Sequence, residues 1–105
     1  MMDTIEIQRL ACLSTAHLSA DVARQLDGVV AGIVPIAGGD ATWHSLIVAE
    51  RWRDYGWWIW VGSDGRDRMP DTLRACLDAA EAAGADWLQF DRDCEPIAAL
   101  PTHDW

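Results

Sequence analysis

The sequence predicts an α+β fold: a ferredoxin-like βαββαβ sandwich, with a four-stranded antiparallel sheet and two helices on one face. Three observations predict it. Apolar residues recur with period two in four short stretches and with helical period in two, in the order strand, helix, strand, strand, helix, strand. The run Tyr55-Gly56-Trp57-Trp58-Ile59-Trp60-Val61 is aromatic, β-branched and bounded by Asp54 and by Gly62-Ser63-Asp64-Gly65, as a buried or half-buried strand is. The turn Arg53-Asp54-Tyr55-Gly56 makes that run the second arm of a hairpin. Right-handed crossovers then give a sheet whose first and third strands are central.

The elements follow in order. Residues Ile5 to Leu13 are the expected first strand, with Ile5, Ile7 and Leu13 on one face and Leu10 and Cys12 on the other. Ser14-Thr15-Ala16-His17 is a loop. Ser19 is a suitable N-cap, since its hydroxyl can satisfy an orphan amide, and Asp21 sits in the first turn where the helix dipole favours an anion. Val22, Ala23, Leu26, Val29 and Val30 form the apolar stripe of this helix, which Gly28 or Gly32 ends. Residues Ile33 to Thr42, with Pro35 and Gly38-Gly39, read as a loop.

Trp43 to Trp52 is the second strand, with Leu46 and Val48 opposite Ser45, Ile47 and Ala49. In the third, Trp57, Ile59 and Val61 share one face and Trp58 and Trp60 the other. Gly62 to Met69 is a polar loop. Pro70 or Asp71 opens the second helix, whose stripe is Leu73, Cys76, Leu77, Ala80 and Ala83, and Gly84 fits its C′ position. Asp86 to Asp91 is the fourth strand. From Arg92 to Trp105 a tail with two prolines is irregular.

The chain has 105 residues, one domain of ordinary size, and half of them are hydrophobic, enough for a core without staples. Eight basic residues, all arginine, face 17 acidic ones, for a net charge of -9. Such a surface repels phosphate backbones and acidic membranes, so no direct nucleic-acid or membrane partner is expected. Cys12, Cys76 and Cys94 are odd in number and form no framework, which fits reduced thiols and a cytoplasmic location. The start Met-Met-Asp-Thr-Ile-Glu does not read as a signal peptide, and no segment is apolar over a bilayer's width.

Four segments together, Leu13-Ser14-Thr15-Ala16-His17-Leu18, the tryptophan run, Phe90-Asp91-Arg92-Asp93 and Leu100-Pro101-Thr102-His103-Asp104-Trp105, resemble a family of short uncharacterised proteins. That family is carried on plasmids and integrative elements of proteobacteria. The resemblance implies a cytoplasmic accessory protein of mobile DNA and supplies no catalytic residues.

Two groups of residues invite a chemical reading. His17 and Ser14, with Tyr55, Asp91 and Asp93, make a polar set from which a small metal- or histidine-dependent hydrolase could be built. A nucleophile, however, needs a base and an oxyanion site in reach, and no Gly-x-Ser-x-Gly elbow is present. Ser14 to His17 therefore read as a capping loop. Arg66, Arg68 and Arg92 interleave with Asp64, Asp67, Asp91 and Asp93, so these acids read as a surface ion-pair network. The three histidines lack zinc spacing with the cysteines, and no glycine motif cradles a phosphate. No metal and no cofactor is expected.

The second group is Trp58, Trp60 and Trp87, which the predicted fold directs away from the helices while Leu88 and Phe90 face them. Indoles of about 150–250 Å² each make a patch that monomers seldom leave wet. Either the tail with Trp105 covers it or a partner does. The function expected is a non-catalytic interaction protein that binds a protein partner or itself through this open face. Charge and resemblance extend this to an inhibitor of a host nucleic-acid-handling or defence complex, of anti-CRISPR or anti-restriction type. A structural homodimer is the other non-enzymatic alternative.

Overall fold

A computed structural model of the protein describes residues 4–32 and 42–104. Strand β1 is Leu10–Ser14, helix α1 Ala20–Val30, β2 Ala49–Trp52, β3 Gly56–Trp60, α2 Asp71–Ala82 and β4 Trp87–Asp91. The strands form one sheet in the order β1-β4-β3-β2.

That order corrects the ferredoxin-like expectation. The class α+β and the element succession stand, but the sheet is mixed. Strand β4 lies between β1 and β3, parallel to β1 (Leu10 beside Trp87) and antiparallel to β3 (Trp60 beside Trp87). β1 is an edge and not a central strand. The reason lies in residues 61–70. A ferredoxin-like sheet needs its second helix to start where β3 ends. Here β4 starts where β3 ends, since the Val61 amide donates to the Asp86 carbonyl at 2.9 Å. The N-terminal half of α2 lies at the opposite end, where the Cys76 thiol meets the His17 carbonyl beyond the end of β1. Residues 61–70 thus carry the chain back along the sheet before α2 begins, and β4 returns antiparallel to its neighbour.

Two strands are shorter than their patterns. Residues 4–9 have no ladder because β4 begins only at Trp87; Ile5 and Ile7 are 85% and 84% exposed instead of facing a core. The expected strand from Trp43 begins as a 3-10 turn, Thr42–Ser45, in which the Leu46 and Ile47 amides both bond the Trp43 carbonyl. That turn sinks Trp43 completely into the core. The loop expected from Ile33 falls on residues 33–41, outside the described residues, as does Trp105.

Elsewhere the local signals hold. The Ser19 hydroxyl accepts from the Val22 amide and caps α1. The helix runs through Gly28 and stops at Val30, with Gly32 left-handed at φ 71°. Pro70 opens α2, and Gly84 follows it at φ 84°, a conformation that costs glycine nothing. Ala83 is exposed at the helix end, outside the stripe expected to be buried. One sheet face meets the helices: Leu13, Phe90 and Trp57 form one row, Leu88 and Ile59 another. They pack against Leu18, Val22 and Leu26 of the α1 side and Leu73, Cys76 and Leu77 of α2.

Candidate functional site

Alternation fixes the opposite face. Across it run Leu10, Trp87 and Trp60 in one row and Cys12, Gln89, Trp58 and Glu50 in the next. Asp91, Gly56 and Trp52 make a third. Trp58, Trp60 and Trp87 are each half-buried. The Trp60 and Trp87 rings meet edge-on, 4.9 Å between centroids, and Trp52 stacks on Trp58, also at 4.9 Å and with planes 22° apart. Tyr55 leans on Trp52 at 5.8 Å, under the Arg92 guanidinium at 5.1 Å. The face therefore carries an aromatic ladder of two groups of contacting rings, Trp60 with Trp87 and Trp58 with Trp52 and Tyr55.

Most of its polar edges are used internally. The Trp58 indole N–H donates to Gln89 Oε1 at 2.6 Å, Trp87 to Gln8 Oε1 at 2.6 Å, and Trp52 to Asp91 Oδ2 at 3.3 Å. Gln89 Nε2 in turn reaches Cys12 Sγ at 3.7 Å and Asp91 Oδ2 at 3.5 Å. What remains outward is ring surface flanked by carboxylates. Trp52 is the member sequence reasoning missed. The hairpin register carries the signal: pairing Trp52 with Gly56 puts it on the side of Trp58, where glycine leaves room.

The tail begins at the edge of this face, with Arg92 over Tyr55 and the Cys94 thiol at the Cys12 carbonyl. Its later bonds are at the far end of β1, where His17 is 2% exposed. His17 Nδ1–H donates to the Pro101 carbonyl at 2.8 Å, and Nε2 accepts from the Ile97 amide at 3.0 Å. The His103 amide donates to the Ala16 carbonyl at 2.8 Å, and Leu100 packs on the core. Both ring nitrogens of His17 are thus committed to the backbone, which fixes a neutral tautomer.

The rest of the polar set is dispersed in the same manner. Ser14 is buried, its hydroxyl accepting from the Ala16 amide. Asp91 Oδ1 accepts from the Asp93 amide at 2.8 Å, closing the turn after β4, and Asp93 is exposed. Ser14 and Asp91 are register partners, but no group of three or more potential metal ligands converges among the described residues.

Of the arginines expected in a loop ion-pair network, Arg66 reaches Asp78 at 3.2 Å and Glu81 at 3.1 Å on α2, and Arg92 sits over Tyr55. Residues 61–70 lie along α2, which offers its acids first. A cleft of about 530 Å³ beside the hairpin turn gathers Arg24, Arg51 and Arg92 with Asp27 and Asp54. Arg24 is paired with Asp21 at 2.7 Å and Arg51 with Asp27 at 2.6 Å.

Among known families, residues 10–105 match the model described as the C-terminal domain of a family of unknown function (DUF5983). No curated protein matches the chain, and no solved structure does. Among the described residues no helix is long and apolar enough to cross a membrane.

Proposed function

We propose, for a chain that belongs to the DUF5983 family of unknown function, that it is a non-catalytic binding protein whose open sheet face docks a basic protein surface. The aromatic ladder carries this reading. Trp52, Trp58, Trp60 and Trp87 offer ring surface whose N–H groups are largely satisfied within the protein, so burying it strands few polar atoms. Tryptophan anchors protein interfaces, and guanidinium and ammonium groups stack on indole faces. Glu50 and Asp91 flank the rings, and the net charge of -9 favours a cationic partner. The same charge disfavours phosphate backbones and a second copy of this chain.

The resemblance to proteins of proteobacterial plasmids and integrative elements supports one further step. We read the target as the basic groove of a nucleic-acid-handling or defence complex, with the chain as its cytoplasmic inhibitor. His17, committed to the tail through both nitrogens, supports a binding role over a hydrolytic one.

Capture from a host lysate tests the proposal when run with wild type and with a Trp58→Ala/Trp60→Ala variant shown to be folded. A basic protein retained by wild type, released by salt and lost in the variant is the expected result. Equal retention by the variant contradicts it. So does a wild-type dimer that Trp60→Glu converts to monomer, which would give the face to the homodimer.

A further inference from the structure

Cys12 and Cys94 lie 82 positions apart in sequence, yet the fold brings them together at the edge of the tryptophan face. Cys12 is exposed on β1, the edge strand, opposite Gln89. After β4 the chain turns back, the Cys94 amide bonding the Asp91 carbonyl at 3.1 Å. The turn delivers the half-exposed Cys94 thiol to the Cys12 carbonyl at 3.6 Å, on the backbone that bears the Cys12 side chain. Cys76, by contrast, is buried under α2.

We infer that Cys12 and Cys94 are an oxidation site, closing to a reversible disulfide by exchange with a low-molecular-weight disulfide such as glutathione disulfide. The Cys94 thiolate attacks one glutathione sulfur, the glutathione S–S bond breaks, and one glutathione leaves as thiolate. Cys12 then gives its proton to solvent and attacks the Cys94 sulfur, expelling the second glutathione. Two protein thiols lose two protons and two electrons, and one glutathione disulfide becomes two thiols. Desolvation, with Cys94 beside it, pushes the Cys12 thiol up to about 11, so the exchange is favoured by mildly alkaline buffer. Burial alone pushes Cys76 up to about 12, so it stands aside.

The bond would tie an edge strand to the tail and close a long loop, which raises thermal stability. Its effect reaches the ladder, because Gln89 contacts the Cys12 sulfur with one end and holds the Trp58 indole with the other. The inference stands on the thiols alone and does not depend on what the face binds.

The test treats the full chain with glutathione disulfide in mildly alkaline buffer, blocks remaining thiols with iodoacetamide and maps peptides by mass. The expected product has lost two hydrogens, links the Cys12 and Cys94 peptides, reverts with dithiothreitol and melts higher than the reduced form. Cys76 is alkylated only after denaturation. Cys12→Ser should stop at a lasting glutathione adduct on Cys94. Separate adducts on Cys12 and Cys94 of the wild type, or a bond to Cys76, would overturn the inference. So would free thiols in a buffer that oxidises an unstructured dithiol peptide.

Discussion

At the scale of single residues, the histidines show how burial assigns tasks that sequence leaves open. His17 joins the end of β1 to the tail through both ring nitrogens. His17→Phe keeps a ring there but leaves the Ile97 N–H and the Pro101 carbonyl unpaired, each costing about 1–3 kcal/mol if it stays buried. The tail should then be cut first in limited proteolysis, with the core intact; an unchanged cleavage pattern would deny His17 that role. His44 stands edge-on to Trp43 at 4.3 Å, with Nε2–H donating to Gln25 Oε1 at 2.9 Å. Its buried Nδ1 has no partner among the described residues. Desolvation lowers its pKa from the usual 6.5. The unfolded chain therefore takes up this proton more readily, and stability falls as pH drops below about 6.5, until the folded form also protonates. Urea midpoints between about pH 7.5 and 5.5 should show this decline in wild type and a weaker one in His44→Gln.

At the scale of elements, Gly56 and residues 61–70 decide the sheet. A Cβ at Gly56 would run into the Phe90 carbonyl of β4, a backbone atom that cannot move without parting the central strands. Gly56→Ala should cost roughly 1–3 kcal/mol or more, measured by chemical denaturation, and an unchanged midpoint would mean that β3 and β4 are not so tightly joined. The helices, the hairpin and the inward rows of β3 and β4 were legible because local signals carry them: the Ser19 cap, Gly84, and alternation at Trp57, Ile59, Leu88 and Phe90. The strand order was not legible. It depends on the path of a polar loop, where periodicity is silent and ion pairs such as Arg66 with Asp78 and Glu81 guide the chain. The start of β1 was not legible either, because Ile5 and Ile7 alternate correctly but have no neighbour to pair with. For the candidate face, Trp58, Trp60 and Trp87 followed from alternation, whereas Trp52 needed the hairpin register.

At the scale of the whole molecule, two helices cover one side of the sheet and the described tail is fastened at its end, and the proposed function assigns the aromatic ladder on the other side to a partner. With a net charge of -9, the chain should sediment as a monomer at micromolar concentration in low salt, and a dimer there would contradict the proposed division of charge. The most direct measurement asks which face touches another protein inside the cell. A photo-crosslinking residue at Glu50, exposed on β2 beside Trp58, reports on the ladder, and one at Ala82, exposed on α2, reports on the helical side. The account predicts a crosslink to a basic protein from position 50 and none to that protein from position 82. Equal crosslinking from both positions, or a crosslink from position 50 to a second copy of this chain, would contradict it.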